Sequence, residues 1–459
     1  MKKTKIVCTI GPASEKKETM LKLINNGMNV MRMNFSHGDQ VEQGARIKTV
    51  NEINKELGTN IGIMLDTRGP EIRTGYLKDG KKVQIEQGQK IRVTMDYEYL
   101  GDSEKIAISY PGLYDDIHIG GKILIEDGNL SLTVLEKDEK NKELICVANN
   151  TRLLGQKKNC NVPGVILNME YVSKKDYDDI VFGCKQDIDF IAASFVRRAQ
   201  DILDIRKILE EQGKPEIKII SKIENQEGVD NMLEIIELSD GVMVARGDLG
   251  VDVPAWTVPS IQEEMIREAQ SQGKIVITAT QMLDSMIVNP RPTRAEVSDV
   301  YNSVLQGTGA TMLSGESANG DFPDLAVDYM AKIDVEAEEN LDYLELMDRA
   351  LEYEMNIDSK PAIAYAASKL AFEFGASAIV LDGDMNFAYE VSRYRPACNV
   401  FATVNSVKEA RFLSLAWGVE PVIGNAKKCL EVATKKLDLQ KGDVVIYVTK
   451  STLEFKTIE

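Results

Sequence analysis

Residues 217–224 read Ile217-Lys218-Ile219-Ile220-Ser221-Lys222-Ile223-Glu224. Gly213 and Pro215 stand just upstream and β-branched residues dominate the run, which is the pattern of a buried strand. In an extended chain, residues two apart share a face. Lys222 and Glu224 therefore leave the strand's carboxyl end side by side. A solvated pair on a helix would be spaced three or four apart instead. Charged groups at the carboxyl end of a buried strand are where α/β proteins keep their chemistry.

Seven further runs of this kind recur: 5–11 (KIVCTIG), 29–36 (NVMRMNFS), 61–67 (IGIMLDT), 190–197 (FIAASFVR), 241–248 (GVMVARGD), 275–282 (IVITATQM) and 310–316 (ATMLSGE). Between most of them lie segments of helical period, such as 201–212 and 229–238. Alternating strand and helix predicts a parallel sheet. Eight units predict a closed (β/α)8 TIM barrel, with active residues on the loops after the strands.

One step breaks the rhythm. From Thr67 to Phe190 the chain is roughly a hundred residues longer than a βα unit needs, the size of a small domain. Inside it, 82–86, 90–95, 122–126, 130–135 and 143–148 alternate apolar and polar residues. Asp79-Gly80, Gly120-Gly121 and Asp127-Gly128 mark turns between them. This predicts an all-β insertion, hinged over the barrel mouth as a lid. After Phe322-Pro323 a charged helical stretch runs to about Met355. Then 362–374, 378–381, 400–404, 422–423 and 444–448 alternate helix and strand as a C-terminal α/β domain. The expected boundaries are 1–66 with 165–335 for the barrel, 67–164 for the lid and 336–459 for the C-terminal domain.

The chain has 459 residues with 72 acids against 55 bases, a net charge of -17. That balance argues against nucleic acid or an anionic membrane as partner. An anionic substrate must then be met by locally focused bases. Six scattered cysteines form no C-x-x-C pair, which fits reduced thiols and a cytoplasmic location. The basic start is followed by an apolar run broken at Gly11-Pro12, too short for a signal peptide. No stretch reaches the length of a membrane span. Neither a phosphate-binding P-loop nor a dinucleotide glycine fingerprint occurs. With only His37 and His118, no His-rich zinc site or Ser-His-Asp triad is expected.

Charged and hydroxyl residues do gather at strand ends. Arg32, Asn34, Ser36 and His37 close the second strand. Asp66, Thr67 and Arg68 close the third, with Arg73 just inside the lid's first hinge. Lys222 and Glu224 close the fifth, Arg246, Gly247 and Asp248 the sixth, Thr280 and Gln281 the seventh, and Ser314 and Glu316 the eighth. Glu224 and Asp248, from adjacent strands, are suited to hold Mg²⁺ with positions left for water and substrate. Arg32, Arg73 and Lys222 are suited to phosphate oxygens. The competing reading of the same residues is an internally neutralised ion-pair network.

The blocks KTKIVCTIGPAS, MNVMRMNFSHG, LDTRGPEIRTG, KIENQEGV, DGVMVARGDLGV, TATQMLDSM, NPRPTRAEVSDV and MLSGESANG resemble, in order, the signature blocks of the pyruvate kinase family. The resemblance implies transfer of the phosphoryl group of phosphoenolpyruvate to ADP, giving pyruvate and ATP. It implies Mg²⁺ or Mn²⁺ on Glu224 and Asp248, bridging the substrate carboxylate and enolate oxygen. Lys222 would sit on the phosphoryl in flight, where charge spreads in a loose transition state. Gly247, Asp248 and Thr280 would hold the substrate carboxylate, and Thr280 would pass a proton through water to the enolate carbon. Arg32 would act in catalysis and substrate binding. Asn34, His37, Arg73 and Lys158 would meet the nucleotide. Asn34, Ser36, Asp66 and Thr67 would hold K⁺, for which Glu71 is the family's marker. A homotetramer is the family's usual assembly.

The resemblance also exposes departures. Asn159-Cys160 and Asn168-Met169-Glu170 replace the usual residues of the lid's return. Gly309 and Ser317 replace a common Asp and Thr. Many family members bind a phosphorylated sugar in a hydroxyl-rich loop at a helix start. Here that stretch, 381–388, has no hydroxyls and two acids, Asp382 and Asp384. Two carboxylates at a helix N-terminus repel a phosphate, and the chain stops at Glu459 without the family's Gly-rich flap. No activation by fructose 1,6-bisphosphate is expected at this degenerate site. Two other classes fit the barrel less well. A lyase or mutase acting on phosphoenolpyruvate or an oxoacid has no reason to keep Lys222, Arg73 and a lid with Lys158. A non-catalytic scaffold has no reason to keep Lys222, Glu224, Asp248 and Thr280 together.

Overall fold

The computed structural model of the chain describes residues 1–351 and 359–459. The eight expected runs form eight parallel strands: Lys5–Thr9, Val30–Asn34, Gly62–Asp66, Phe190–Ala193, Lys218–Ile223, Gly241–Ala245, Ile275–Ala279 and Ala310–Leu313. They close into a barrel in sequence order, the first pairing with both the second and the eighth.

The pleat divides each strand between two cores. Val7, Val30, Met64, Phe190, Ala192, Ile220, Met243, Ile277 and Met312 pack together inside the barrel. Their neighbours Ile6, Cys8, Met31, Ile63, Leu65, Ile191, Ile219 and Ile223 pack outward, against the surrounding helices. Period-2 geometry then fixes the rest of each inward face. Two residues at a time along that face, the chain leads from Ile220 to Lys222 and Glu224, from Met64 to Asp66, and from Val30 to Arg32 and Asn34. The apolar interior thus gives way to charge at one end of the barrel.

The helices begin where the local chemistry allows. Ser173 caps Lys174–Lys185, and Thr293 with Glu296 forms a capping box on Arg294–Leu305. The expected helix at 229–238 is instead two short helices, Gln226–Asp230 and Met232–Leu238. Asn231 lies between them, its side-chain amide spent on the Arg197 carbonyl at 2.8 Å.

The insertion is a sheet domain with its own core around Ile85, Ile91, Val93, Ile123, Leu132 and Leu144. Its seven-stranded sheet contains the five expected strand regions except 82–86, where Val83–Ile85 pairs with Arg152–Leu154 in a small separate sheet. Two short strands at its root, Ile72–Arg73 and Asn159–Asn161, pair antiparallel and carry the chain in and out. Val165, Leu167 and Met169 still pack on this domain's core.

The charged helical stretch appears as Pro323–Glu339 and Tyr343–Leu351, the first running across the expected boundary at 335. Its expected end, 352–355, lies outside the described residues. The C-terminal domain carries a five-stranded sheet. Ala378–Asp382, Asn399–Val404, Val419–Ile423 and Val444–Thr449 are parallel, and Leu453–Thr457 adds an antiparallel edge. It closes the barrel's amino end, where Leu415 enters the interior core.

Candidate active site

Four barrel strands bring their inward residues to one point. Lys222 Nζ lies 3.0 Å from Glu224 Oε1 and 3.2 Å from Asp66 Oδ1. Arg32 Nε donates to Asp66 Oδ2 at 2.6 Å, and its Nη1 donates to the Thr9 hydroxyl at 2.7 Å. Lys222, Glu224, Asp66 and Arg32 are all buried. Asp66 lies 156 residues from Lys222 in sequence and reaches it because the fourth strand pairs with both of their strands.

Burial opposes each of these charges, and the partners decide the outcome. Burial alone lowers the Lys222 ammonium, but Asp66 and Glu224 outweigh it and hold it protonated. Burial raises Asp66, while Arg32 and Lys222 bring it below the usual carboxylate range. Glu224 is different. Burial pushes it up to about 7, Lys222 opposes, and Asp248 and Asp66 add to the rise. Asp248 is raised as well, first by burial, against Lys222, with Asp127, Glu71 and Asp66 adding to it.

Three acids, Asp66, Glu224 and Asp248, here stand against two bases, Lys222 and Arg32. Glu224 Oε2 accepts the Phe195 N–H at 2.7 Å. Oε1 touches the lysine ammonium but has no aligned hydrogen bond, a buried acceptor left open. That open oxygen and the raised Asp248 are the donor set a hard divalent cation takes. Among the described residues no group of three or more His, Cys, Asp and Glu side chains forms a metal cage. Such a cation would take its remaining ligands from substrate and water.

Thr280 sits on the rim in a left-handed conformation (φ 70°), followed by Gln281 at φ 53°. Non-glycine residues hold this region only where the surroundings over-determine it. The Thr280 hydroxyl accepts the Gly247 N–H at 2.7 Å and lies 2.6 Å from the Ala279 carbonyl. Gly247 and Asp248 open the short helix Arg246–Asp252. A cleft of about 650 Å³ runs beside them, lined by Gly247, Asp248, Gln281 and, from the inserted domain, Asp127. The insertion thus reaches the barrel mouth.

The remaining predicted residues lie around this core. Asn34 pairs in register with Asp66, and its side chain accepts the Ser36 N–H at 3.0 Å. Thr67 is buried, with its hydroxyl accepting the Ser194 N–H at 3.0 Å. His37 is exposed on the rim. Arg73 and Lys158 are brought together by the root strands. Arg73 pairs with Asn159 in register and donates to the Lys157 carbonyl at 3.2 Å. Arg73 and Arg68 both bind Glu71, and Lys158 pairs with Glu126 at 2.6 Å inside the inserted domain.

Sequence reasoning missed Ser194. Lys222 Nζ donates to its hydroxyl at 2.8 Å, and that hydroxyl also contacts Asp66 at 3.0 Å. The signal was present: Phe190 and Ala192 face inward, so Ser194 continues the same face one step past the strand.

A family model described as pyruvate kinase, barrel domain, matches residues 1–327, and one described as pyruvate kinase, alpha/beta domain, matches 361–457. The chain is 47% identical to a pyruvate kinase of Lactobacillus delbrueckii subsp. bulgaricus, covering 98% of this chain and 78% of that protein. It is 49% identical to one of Staphylococcus epidermidis, over 97% of this chain and 77% of the relative. The crystal structure of a pyruvate kinase from Cryptosporidium parvum superposes with a TM-score of 0.95 at 39% identity, over 99% of this chain and 96% of that one.

Proposed function

Because the chain belongs to the pyruvate kinase family, we propose that it moves the phosphoryl group of phosphoenolpyruvate to ADP with the Lys222–Glu224–Asp66 centre as its working part. The observation that carries this reading is the placement of a protonated Lys222 between two buried carboxylates, 3.0 and 3.2 Å away, at the barrel mouth. Phosphoryl transfer asks for positioning and charge neutralisation rather than covalent help. Lys222 provides a fixed ammonium for the spreading charge of the transferring group. Asp66 and Ser194 hold it in place. Arg32, fastened to Asp66 and Thr9, presents its remaining donors to substrate oxygens. The substrate carboxylate fits the Gly247–Asp248 backbone beside Thr280. In this reading Thr280 passes a proton, through water, to the enolate carbon as pyruvate forms.

A divalent cation, Mg²⁺ or Mn²⁺, held by Glu224 and Asp248 would supply charge neutralisation at the substrate oxygens. A K⁺ ion on Asn34, Ser36, Asp66 and Thr67 belongs to the same reading, as do nucleotide contacts through Asn34, His37, Arg73 and Lys158. So do a lid role for residues 67–164, a homotetrameric assembly and work in the cytoplasm. No helix among the described residues is long and apolar enough to cross a membrane.

The C-terminal domain supports a lost sugar-phosphate site. The helix Met385–Arg393 starts on Asp384, whose carboxylate already accepts the Phe387 N–H at 2.9 Å and pairs with Lys450. The anion position at that helix start is filled by the chain itself.

A coupled assay for pyruvate formed from phosphoenolpyruvate and ADP tests the activity, with Lys222→Ala as the control. Omitting Mg²⁺ and K⁺ in turn tests the cations. A chain inert in this assay, or a Lys222→Ala protein as active as the parent, would sink the reading.

A further inference from the structure

One short loop, residues 194–197, carries contacts to both the charge centre and the root of the inserted domain. On the side of the centre, the Ser194 hydroxyl accepts from Lys222 Nζ at 2.8 Å and contacts Asp66 at 3.0 Å. The Phe195 N–H donates to Glu224 Oε2 at 2.7 Å. On the other side, Arg197 grips the segment leaving the inserted domain. Its Nη1 donates to the Leu167 carbonyl at 2.9 Å and its Nη2 to the Met169 carbonyl at 3.0 Å. The Tyr171 hydroxyl, two residues further on, donates to the Ser194 carbonyl at 3.0 Å.

The entering segment rests on the same loop. Gly69 sits at φ +73°, and a Cβ there would lie 2.8 Å from the Ser194 carbonyl oxygen and 3.1 Å from the Phe195 ring. Only glycine lets the two backbones approach this closely. The loop is also strained. Phe195 holds φ 54°, a conformation that persists only where the surroundings enforce it. Arg197 stands two residues beyond it and anchors the loop's far end. It is buried, and Asp201 holds both its backbone N–H at 2.9 Å and its Nε at 3.4 Å.

We propose that Arg197 is a positioning residue that couples the angle of the inserted domain to the placement of Lys222 and Glu224. When the domain swings on its root, the carbonyls of Leu167 and Met169 carry the guanidinium with them. The loop follows, and with it move the Ser194 hydroxyl and the Phe195 N–H, the partners of the lysine and the glutamate. Coupling of this kind is reciprocal. Substrate on Lys222 biases the domain, and nucleotide on the domain biases Lys222. The inference rests on the phosphotransfer reading of the site.

The test is steady-state kinetics of the full-length protein with phosphoenolpyruvate and ADP varied against each other. Arg197→Met keeps the stem and loses the donors; Arg197→Lys keeps the charge and part of the grip. Arg197→Met is expected to lower kcat by about 10- to 100-fold, the scale of a misplacement transmitted from outside the reacting groups. The coupling predicts that the phosphoenolpyruvate KM of the parent responds to ADP and that this response vanishes in Arg197→Met; a parent KM that does not respond overturns the proposal. Arg197→Lys should restore part of both. The loss in Arg197→Met combined with Ser194→Ala should fall short of the product of the two single losses.

A variant that melts earlier yet keeps kcat and the same KM response overturns the proposal, as does a double variant whose losses multiply. Should Arg197→Met fail to fold, Tyr171→Phe removes one hydroxyl from the same link. It is expected to weaken the KM response in the same direction, and an unchanged response overturns the proposal. A parent inactive with both substrates overturns the functional reading instead, so the two failures are distinct.

Discussion

Two charge clusters stand at opposite ends of the same barrel, each built on a buried carboxylate, Glu224 at one and Asp189 at the other. At the mouth, Lys222 and Arg32 face Asp66, Glu224 and the partly buried Asp248. At the seam with the C-terminal domain, Arg411 and Lys408 face Asp187 and Asp189. The seam is closed. Asp189 takes Arg411 at 3.0 Å, Lys408 at 2.9 Å and the Ile63 N–H at 2.9 Å. Asp187 takes Arg411 at 2.8 Å and Lys214 at 3.1 Å. The mouth is left open at Glu224 Oε1, which has the Lys222 ammonium 3.0 Å away but no aligned hydrogen bond. A satisfied buried network fixes geometry; one left short of a partner is waiting for a ligand. The clusters differ in charge balance, three acids facing two bases at the mouth and two facing two at the seam, and in how fully their carboxylates are paired.

The sharpest way to break this contrast is at the mouth. Lys222→Ala should cost about 10³-fold in kcat, the scale of a lost electrostatic donor at a reacting centre. Circular dichroism should show the fold retained. If kcat survives, the mouth is only another structural network. The matching change at the seam should do the reverse. Asp189→Asn takes one anion from buried Arg411 and partly buried Lys408, leaving Asp187 to face both, and should cost about 3 kcal/mol of stability in urea unfolding, the low end for a broken buried pair. The kcat of the folded fraction should stay as in the parent. A fall in kcat without a loss of stability would erase the distinction.

A smaller effect tests the seam's electrostatics. Lys5 is buried, with its ammonium donating to the Val419 carbonyl at 2.8 Å. Burial pushes its pKa down to about 8 against the opposing pull of Glu420. The unfolded chain then binds this proton more tightly, so stability gains as pH rises from 8 towards 10.5. Lys5→Met should therefore be stabilising relative to the parent at pH 7. That advantage should shrink by on the order of 2 kcal/mol at pH 10. Paired melting curves at the two pH values check it, and an advantage constant with pH would refute it. The smallest expected effect is none at all. Fructose 1,6-bisphosphate should leave the rate at subsaturating phosphoenolpyruvate unchanged. A clear leftward shift would mean that the Asp384–Lys450 pair yields to a phosphate.

Much of the fold was legible without coordinates because it is local. The eight apolar runs, the long step after Thr67 and the alternation within the insertion all rest on periods of a few residues. The same parity that placed Lys222 and Glu224 together also pointed to Ser194. That serine stands on an inward face, Phe190, Ala192 and Ser194, that has no charged residue to mark it. The edge strands Lys105–Ala107 and Leu453–Thr457 were less legible. They are short or exposed, and their pairing partners, not their own patterns, make them strands.

The one-dimensional pattern alone determined that polar residues would continue the inward apolar face at one end of a parallel barrel, since the pleat leaves no other arrangement. Tertiary structure decided which of them meet. Asp66 reaches Lys222 only because their strands flank the fourth, and Arg197 reaches the root of the inserted domain only because that domain's exit folds back over the loop after the fourth strand. Contacts between residues so far apart depend on how strands tilt and domains dock, and no short period in the chain encodes that.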